Sequence, residues 1–549
     1  MDTIALVGRV ITVSGSADAA AVLVRDGRIE AVGGDDVVAH ARSAGIPVRD
    51  VGDRVILPGF VDPHVHFEHY AVGRGRGVDC RVPGCLTISD VLDNLRDGLG
   101  KAADTGWLIG YGNLFFDQKL AERRLPTRYE LDKVSDRIPI VLHCGGHTSV
   151  LNTRALELAG VERFLGGGAE GLWGSPVVAV DANGAPTGVV SEIDGHLPIP
   201  PLSPDEVRAH MESAYRDLFT RYGVTTFGEM VGSLASVDIL DELISSGRIP
   251  ARAVLYGMVP SILPLEQACE WAASYRSAAG PDRLSAAGVK LFADGGYSAR
   301  NAASRTPYVR EHAPRAGYAG QLNMTQAAIL DALHASRRHD VQLAVHANGT
   351  RAQDEIVAAL LSVADPHAHR SVRIEHAGNI LGSRADLVQW RRANVTPIVQ
   401  PGFLYNFVGD FVPMLLGDAG TKGRLPLRTM LEDGIVPVAS TDVGLGAEEE
   451  QSNPLFSIWE CAARRSYWGR VIEEEESIGF AQALRLHTIE AARSLGIDDK
   501  VGSIEPGKYA DLVVLDRDPR RVPLDELRQI EVDSVYLAGR EVHHRDGSR

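Results

Sequence analysis

The sequence has no CxxC pair, no long uncharged apolar run and no excess of positive charge. Each absence removes a class of function. The five cysteines, Cys80, Cys85, Cys144, Cys269 and Cys461, are odd in number and irregularly spaced. Neither a disulfide framework nor a cysteine zinc knuckle is therefore indicated. No apolar stretch approaches the roughly 20 residues that a membrane span needs. The first residues lack the basic region and apolar run of a secretory signal. A cytoplasmic, reducing setting is the expectation. Lysine and arginine less aspartate and glutamate gives 56 − 72 = −16. A chain of that sign is expected to avoid nucleic acid and anionic membranes and to act on a small molecule, alone or as a homodimer.

What is present is ordinary globular composition, 44% hydrophobic and 23% charged over 549 residues. That length fits one large barrel with accessory parts. Residues 4–57 read as short strands, with Asp26-Gly27 as a hairpin turn. The C-terminal runs GKYADLVVLD and EVDSVYLAGREV have the same style. Neither end has enough strands for a stable sheet, so 1–57 and 499–549 are expected to meet in one small β-sandwich domain.

Between them, over 58–498, eight apolar β-type runs alternate with helical stretches. They fall at 55–66, 223–230, 252–258, 288–296, 341–347, 372–378, 395–403 and 435–442. Continuous apolar strands separated by helices indicate a parallel sheet covered on both faces, and eight such units indicate a (β/α)₈ TIM-type barrel. The connectors 325–340 and 350–363 carry apolar residues at helical spacing. About 150 residues separate the first run from the second, far beyond an ordinary loop. Residues 68–205 are accordingly read as an inserted subdomain, a lid or wall of the pocket, with Gly166-Gly167-Gly168 and a proline-rich exit at 198–204.

Metal-binding residue types fall at the C-terminal ends of these runs, where the active sites of such barrels lie. The first ends in His64-Val65-His66, whose imidazoles share one face of a strand. Lys290 lies in the fourth, His346 ends the fifth, His376 the sixth and Asp442 the eighth. Singly, each has an ordinary structural explanation; Asp442, for instance, could cap the next helix. Together, on five strands and in order, they indicate a catalytic site for Zn²⁺ or a similar divalent ion, one or two in number. Such an ion brings water to a pKa of about 7.

LPGFVDPHVH, GVKLFADGG, AVHANGTRAQD, RIEHAG and STDVG resemble the successive motifs of the amidohydrolase superfamily. GGHTSVLNTRAL, GAPTGVVSE and VGSIEPGKYADLVVLDRDP extend the likeness, nearly end to end, to the YtcJ-like branch that includes N-substituted formamide deformylases. The resemblance implies that His64, His66 and Asp442 hold one metal and His346 and His376 a second. It also implies that Lys290 bridges them as a carbamate. The chain departs from the branch at Asn348-Gly349-Thr350, Phe115-Phe116-Asp117 and Gly296-Tyr297-Ser298, so no relative's substrate transfers.

The expected reaction is hydrolysis of a non-peptide carbon–nitrogen bond, with deamination or another hydrolysis at the same site as the alternative. Asp442 takes the proton from water and returns it to the leaving nitrogen. His147 donates a hydrogen bond to substrate or oxyanion. Phe116, Tyr297, Phe403 and Tyr405, with Phe115 and Trp173, are candidates for an apolar pocket wall. Arg300 and Arg305 are candidates for binding a substrate carboxylate. A non-catalytic barrel is the remaining reading, and the intact ligand set argues against it.

Overall fold

Eight short runs rich in Val, Ile and Leu form a parallel sheet because both of their faces are covered, one by helices and the other by each other. In the computed structural model, residues 3–15, 18–103, 105–165, 176–368, 370–444, 446–448 and 450–545 are described. Gly166–Gly168 and Trp173 lie outside them.

The barrel strands are β1 (Phe60–Val65), β2 (Val224–Val231), β3 (Arg252–Met258) and β4 (Leu284–Phe292), followed by β5 (Gln342–His346), β6 (Val372–Glu375), β7 (Val395–Val399) and β8 (Val438–Ala439). They lie side by side in chain order, each parallel to the next. Backbone bonds just beyond β8 close the ring. Asp442 N donates to His64 O at 3.0 Å, and His66 N donates to Val443 O at 2.9 Å. Closure thus fixes the segments that carry His64, His66 and Asp442 against each other.

Side chains two apart on one strand fill the interior: Val254, Tyr256 and Met258 meet Val61, Met230, Ala344, Ile398 and Val438 in one buried cluster. Helices cover the outside. Gln326–Arg338 is capped by Thr325, whose side chain accepts from Ala328 N, and it buries Ile329, Ala332 and Leu333.

The run at 55–66 belongs to two sheets. Val48–Pro58 pairs with the chain ends, and β1 starts at Phe60. The terminal segments form one seven-stranded sheet. It curls so that Leu6, Val22 and Val24 share a core with Leu512, Val514 and Tyr536. Asp26 and Gly27 both adopt positive φ, as the tight hairpin turn requires. A buried, two-pronged ion pair joins this sheet to β3: Arg252 Nε to Asp511 Oδ2 at 2.6 Å and Nη2 to Oδ1 at 3.0 Å. Such pairing offsets the desolvation of both charges.

Between β1 and β2 lies a six-stranded sheet with buried clusters of its own. Among the described residues, no helix is long and apolar enough to cross a membrane.

Candidate active site

The ligand-type residues gather at the C-terminal mouth of the barrel. His64 Nε2, His66 Nε2 and Asp442 Oδ1 lie 3.3–3.4 Å from one another. His376 Nε2 is 4.0 Å from Asp442 Oδ2. Lys290, fully buried, places Nζ 3.3 Å from His64 Nε2. Burial pushes its ammonium down to about 8. His346 stands apart: its Nε2 is 3.2 Å from Gly295 O, while its ring meets the His376 ring edge-on at 4.6 Å. Among the described residues, the donors that converge within 4.8 Å are those of His64, His66 and Asp442.

Two residues of this cluster, His376 and Asp442, have strained backbone. By alternation, His376 should point away from the barrel axis if Glu375 points inward. Its φ of 73° turns it back, so both face the site. Asp442 has φ of 51°. Such conformations in non-glycine residues cost on the order of 1–3 kcal/mol each and persist where the surroundings enforce them.

Glu375, just before His376 in RIEHAG, was not singled out by the sequence reading. Its Oε2 lies 2.5 Å from His64 Nδ1, and its Oε1 accepts from Arg373 Nε at 2.8 Å. Burial would raise its carboxyl, but the Arg373 guanidinium and His64 hold it well below the usual range. An ionised Glu375 can only accept, so His64 Nδ1 carries the proton and Nε2 presents its lone pair to the site. Gln400 Oε1, 2.8 Å from His376 Nδ1, fixes that ring in the same sense. Burial and the Lys290 charge push His64 down to about 3, keeping it neutral. Asp294, in KLFADGG, accepts backbone N–H from Asn348, Gly349 and Ala303 and so ties the loops after β4 and β5 together. The signal available for both acids was a carboxylate inside an apolar run.

The mouth opens into a cavity of about 300 Å³. The insert supplies one wall through Leu114, Phe115, Gly146, His147 and Asp194. It is clasped to the loop after β8: Lys119 pairs with Glu448, Asn113 Nδ2 donates to Glu448 Oε2 at 2.7 Å, and Arg81 Nη1 donates to Ala447 O at 2.7 Å. Gly446, at φ 85°, lies so close that a Cβ there would come within 2.8 Å of Gly145 Cα. His147 Nδ1 is 3.1 Å from buried Glu192 Oε1. Burial would lower that imidazole, but Glu192 outweighs it and raises it. Its ring sits over Gly296, where a Cβ would come within 2.6 Å of Cδ2.

Tyr297 and Phe403 line the cavity, Phe403 stacking over His376 at 16° between planes. Phe115, also expected at the wall, lines it too, whereas Phe116 and Tyr405 do not. Phe116 is fully buried in the insert's core, and its neighbour Phe115 takes the cavity position with Phe407. Tyr405 packs edge-on against Phe456 and Tyr467, because the helix starting at Pro401 turns its side chain away from the mouth. Arg300 is engaged by Asp117 Oδ2 at 3.0 Å, and Arg305 by Asp354 and Asp386. Neither is available for a carboxylate in the cavity. His69, one helical turn beyond His66, lines the cavity and was missed.

The sequence profile described as "Amidohydrolase family" matches residues 48–543. The chain belongs to this family. As an amidohydrolase it is a hydrolase acting on carbon–nitrogen bonds. It is 26% identical over 541 residues, 96% of both chains, to the N-substituted formamide deformylase of Arthrobacter pascens. It is 25% identical over 545 residues, again 96% of both, to the putative amidohydrolase YtcJ of Bacillus subtilis. A crystal structure of an uncharacterized metal-dependent hydrolase from Pyrococcus furiosus superposes with a TM-score of 0.69 at 24% identity, covering 94% of this amidohydrolase and 99% of that chain. A zinc-bound adenosine deaminase from Xanthomonas campestris gives 0.52 at 13% identity, covering 98% of this chain and 92% of that one. These structural likenesses concern the fold.

Proposed function

We propose that this amidohydrolase cleaves a small, non-peptide amide at a divalent-metal site formed by His64, His66 and Asp442, with zinc as the expected ion. The observation that carries the reading is the spacing of three converging donors. Ligands about 2.0–2.1 Å from one tetrahedral ion stand about 3.3 Å apart, and these stand 3.3–3.4 Å apart. Two imidazoles and one carboxylate suit zinc and leave a position open. Glu375 orients the His64 ring as second-layer partners of metal-binding histidines do, and Gln400 orients the neighbouring His376 ring in the same way. A divalent ion there supplies a lowered water pKa and a polarised carbonyl.

The remaining work belongs to the chain. Asp442, ionised, accepts the proton from the attacking water and delivers it to the leaving nitrogen. His147, favoured as imidazolium by Glu192, donates from Nε2 to the developing oxyanion. Leu114, Phe115, Phe403 and Phe407 exclude water and accept an apolar or aromatic group on the amide. Lys290, with its ammonium lowered by burial, is the residue suited to carbamate formation, which requires the free amine. The five free cysteines, all buried, fit a reducing, cytoplasmic compartment.

The test is a panel of N-aryl formamides and larger amides with zinc-loaded enzyme, following both products. Release of acid and amine is expected. Ammonia as the sole nitrogen product would move the assignment to deamination, and no turnover across the panel would overturn the reading.

A further inference from the structure

We infer that Asp194 is a specificity residue and that the substrate carries a basic amine, held as an ammonium against the Asp194 carboxylate, away from the scissile bond. This rests on the proposed amide-hydrolase reading of the cavity.

The insert builds this position by strand pairing. Ile140–Cys144, Thr148–Leu151 and Pro186–Ser191 are adjacent antiparallel strands, with His143 opposite Ser149 and Thr148 opposite Ser191. Glu192 N continues the ladder by donating to His147 O at 3.1 Å. Glu192 and Asp194 therefore leave the strand end two residues apart. Glu192 is buried against His147, and Asp194 reaches the cavity. Its carboxylate is fixed from behind: Ser149 Oγ donates to Oδ1 at 3.1 Å, and His143 Nδ1 is 3.4 Å from Oδ2. The Asp194 side chain remains 30% accessible. Two oxygens with about four lone-pair directions retain room for another donor.

The wall around Asp194 makes the choice of ligand. Among the described residues, no lysine or arginine lines the cavity. Of the imidazoles on this side of the cavity, His147 is already paired with Glu192, and His69 stands beside Asp194. Asp442 belongs to the proposed metal centre. Asp194 is thus the carboxylate left facing an otherwise largely apolar chamber, where an ammonium or strong N–H donor would neutralise it and an anionic group would be repelled. The chamber is then polarised: an electrophile-activating centre at the barrel mouth, an anion on the insert and aromatic side chains between.

The test uses two formanilides of nearly equal shape, one with a para-aminomethyl group and one with a para-ethyl group. KM and kcat are measured on zinc-loaded enzyme, and calorimetry measures binding of both compounds independently of turnover. The aminomethyl compound should have a KM and Kd lower by about 10- to 100-fold, the range for a charged hydrogen bond. Asp194→Asn should erase that difference, raising KM and Kd for the aminomethyl compound by about 10-fold or more relative to any change for the ethyl compound. A merely structural Asp194 would impair both compounds alike, and that result overturns the proposal. Equal or weaker binding of the aminomethyl compound by the unmodified enzyme also overturns it. Preference in binding without hydrolysis of either compound would instead sink the amide-hydrolase reading and leave the Asp194 assignment standing.

Discussion

Replacing Glu375 with Gln keeps the shape of a buried side chain and removes its charge. In the native site its two oxygens serve two masters: His64 Nδ1 at 2.5 Å and Arg373 Nε at 2.8 Å, all three side chains fully buried. The substitution has two separable consequences. The first is on metal affinity. A partner that orients a metal-binding histidine is typically worth 10- to 100-fold, or about 1.4–2.8 kcal/mol. Glu375→Gln should therefore raise the zinc Kd by about that factor, read by competition with a chromophoric chelator. The second is on stability. Arg373 loses its counter-charge in a dry environment, and removing one partner of a buried pair costs about 3–5 kcal/mol. The retained amide oxygen still accepts one hydrogen bond, so the lower end of that range is expected in urea unfolding of metal-free protein. An intermediate check is Glu375→Asp, which keeps the charge but shortens the reach; it should restore more stability than affinity. Unchanged zinc affinity in Glu375→Gln would refute the assignment of Glu375 as the group that orients His64.

Asp442→Asn should lower kcat by about 10³-fold or more, because it removes both the proton acceptor and a ligand; near-normal turnover with full zinc occupancy would reject its dual role. Stripping zinc with a chelator should abolish activity, and readdition should restore it in proportion to metal bound, measured by atomic absorption alongside initial rates. If Lys290 is carbamylated, bicarbonate should raise the activity of carbon dioxide-depleted enzyme and intact-mass analysis under gentle conditions should show one carboxyl adduct, whereas Lys290→Met should respond to neither. Glu229 caps the helix Phe67–Arg76 by accepting from Phe67 N at 2.8 Å and Glu68 N at 3.1 Å, and burial pushes its carboxyl up to about 8. With the folded value above the unfolded one of about 4.3, its contribution is full below about pH 4 and declines as pH rises through 8; Glu229→Gln should flatten that part of the urea-midpoint profile, and an unaltered slope would rule the group out.

The sequence by itself determined the architecture, because the physical signal is local and repeated. Eight apolar runs with helical connectors leave few arrangements other than a closed parallel barrel, and the observed strands fall on those runs. The ligand-type residues were legible for the same reason: His64 and His66 share a strand face, and Lys290, His346, His376 and Asp442 stand at or near strand ends. Contacts between distant segments decided the rest. The role of Glu375 depends on a partner 311 positions away, and no periodicity reports such a pairing. The inward turn of His376 and the conformation of Asp442 come from positive φ values that tertiary packing enforces against local preference. Phe115 rather than Phe116 faces the cavity because Phe115 itself adopts a left-handed conformation at φ 54°, which exchanges the sides that two adjacent residues present. Arg300 and Tyr405 looked available in sequence, yet Asp117 and a cage of aromatic rings hold them elsewhere. Alternation and composition are properties of a few neighbouring residues, whereas a site is a property of which surfaces meet, and that is settled only when the insert, the barrel and the loop after β8 close on one another.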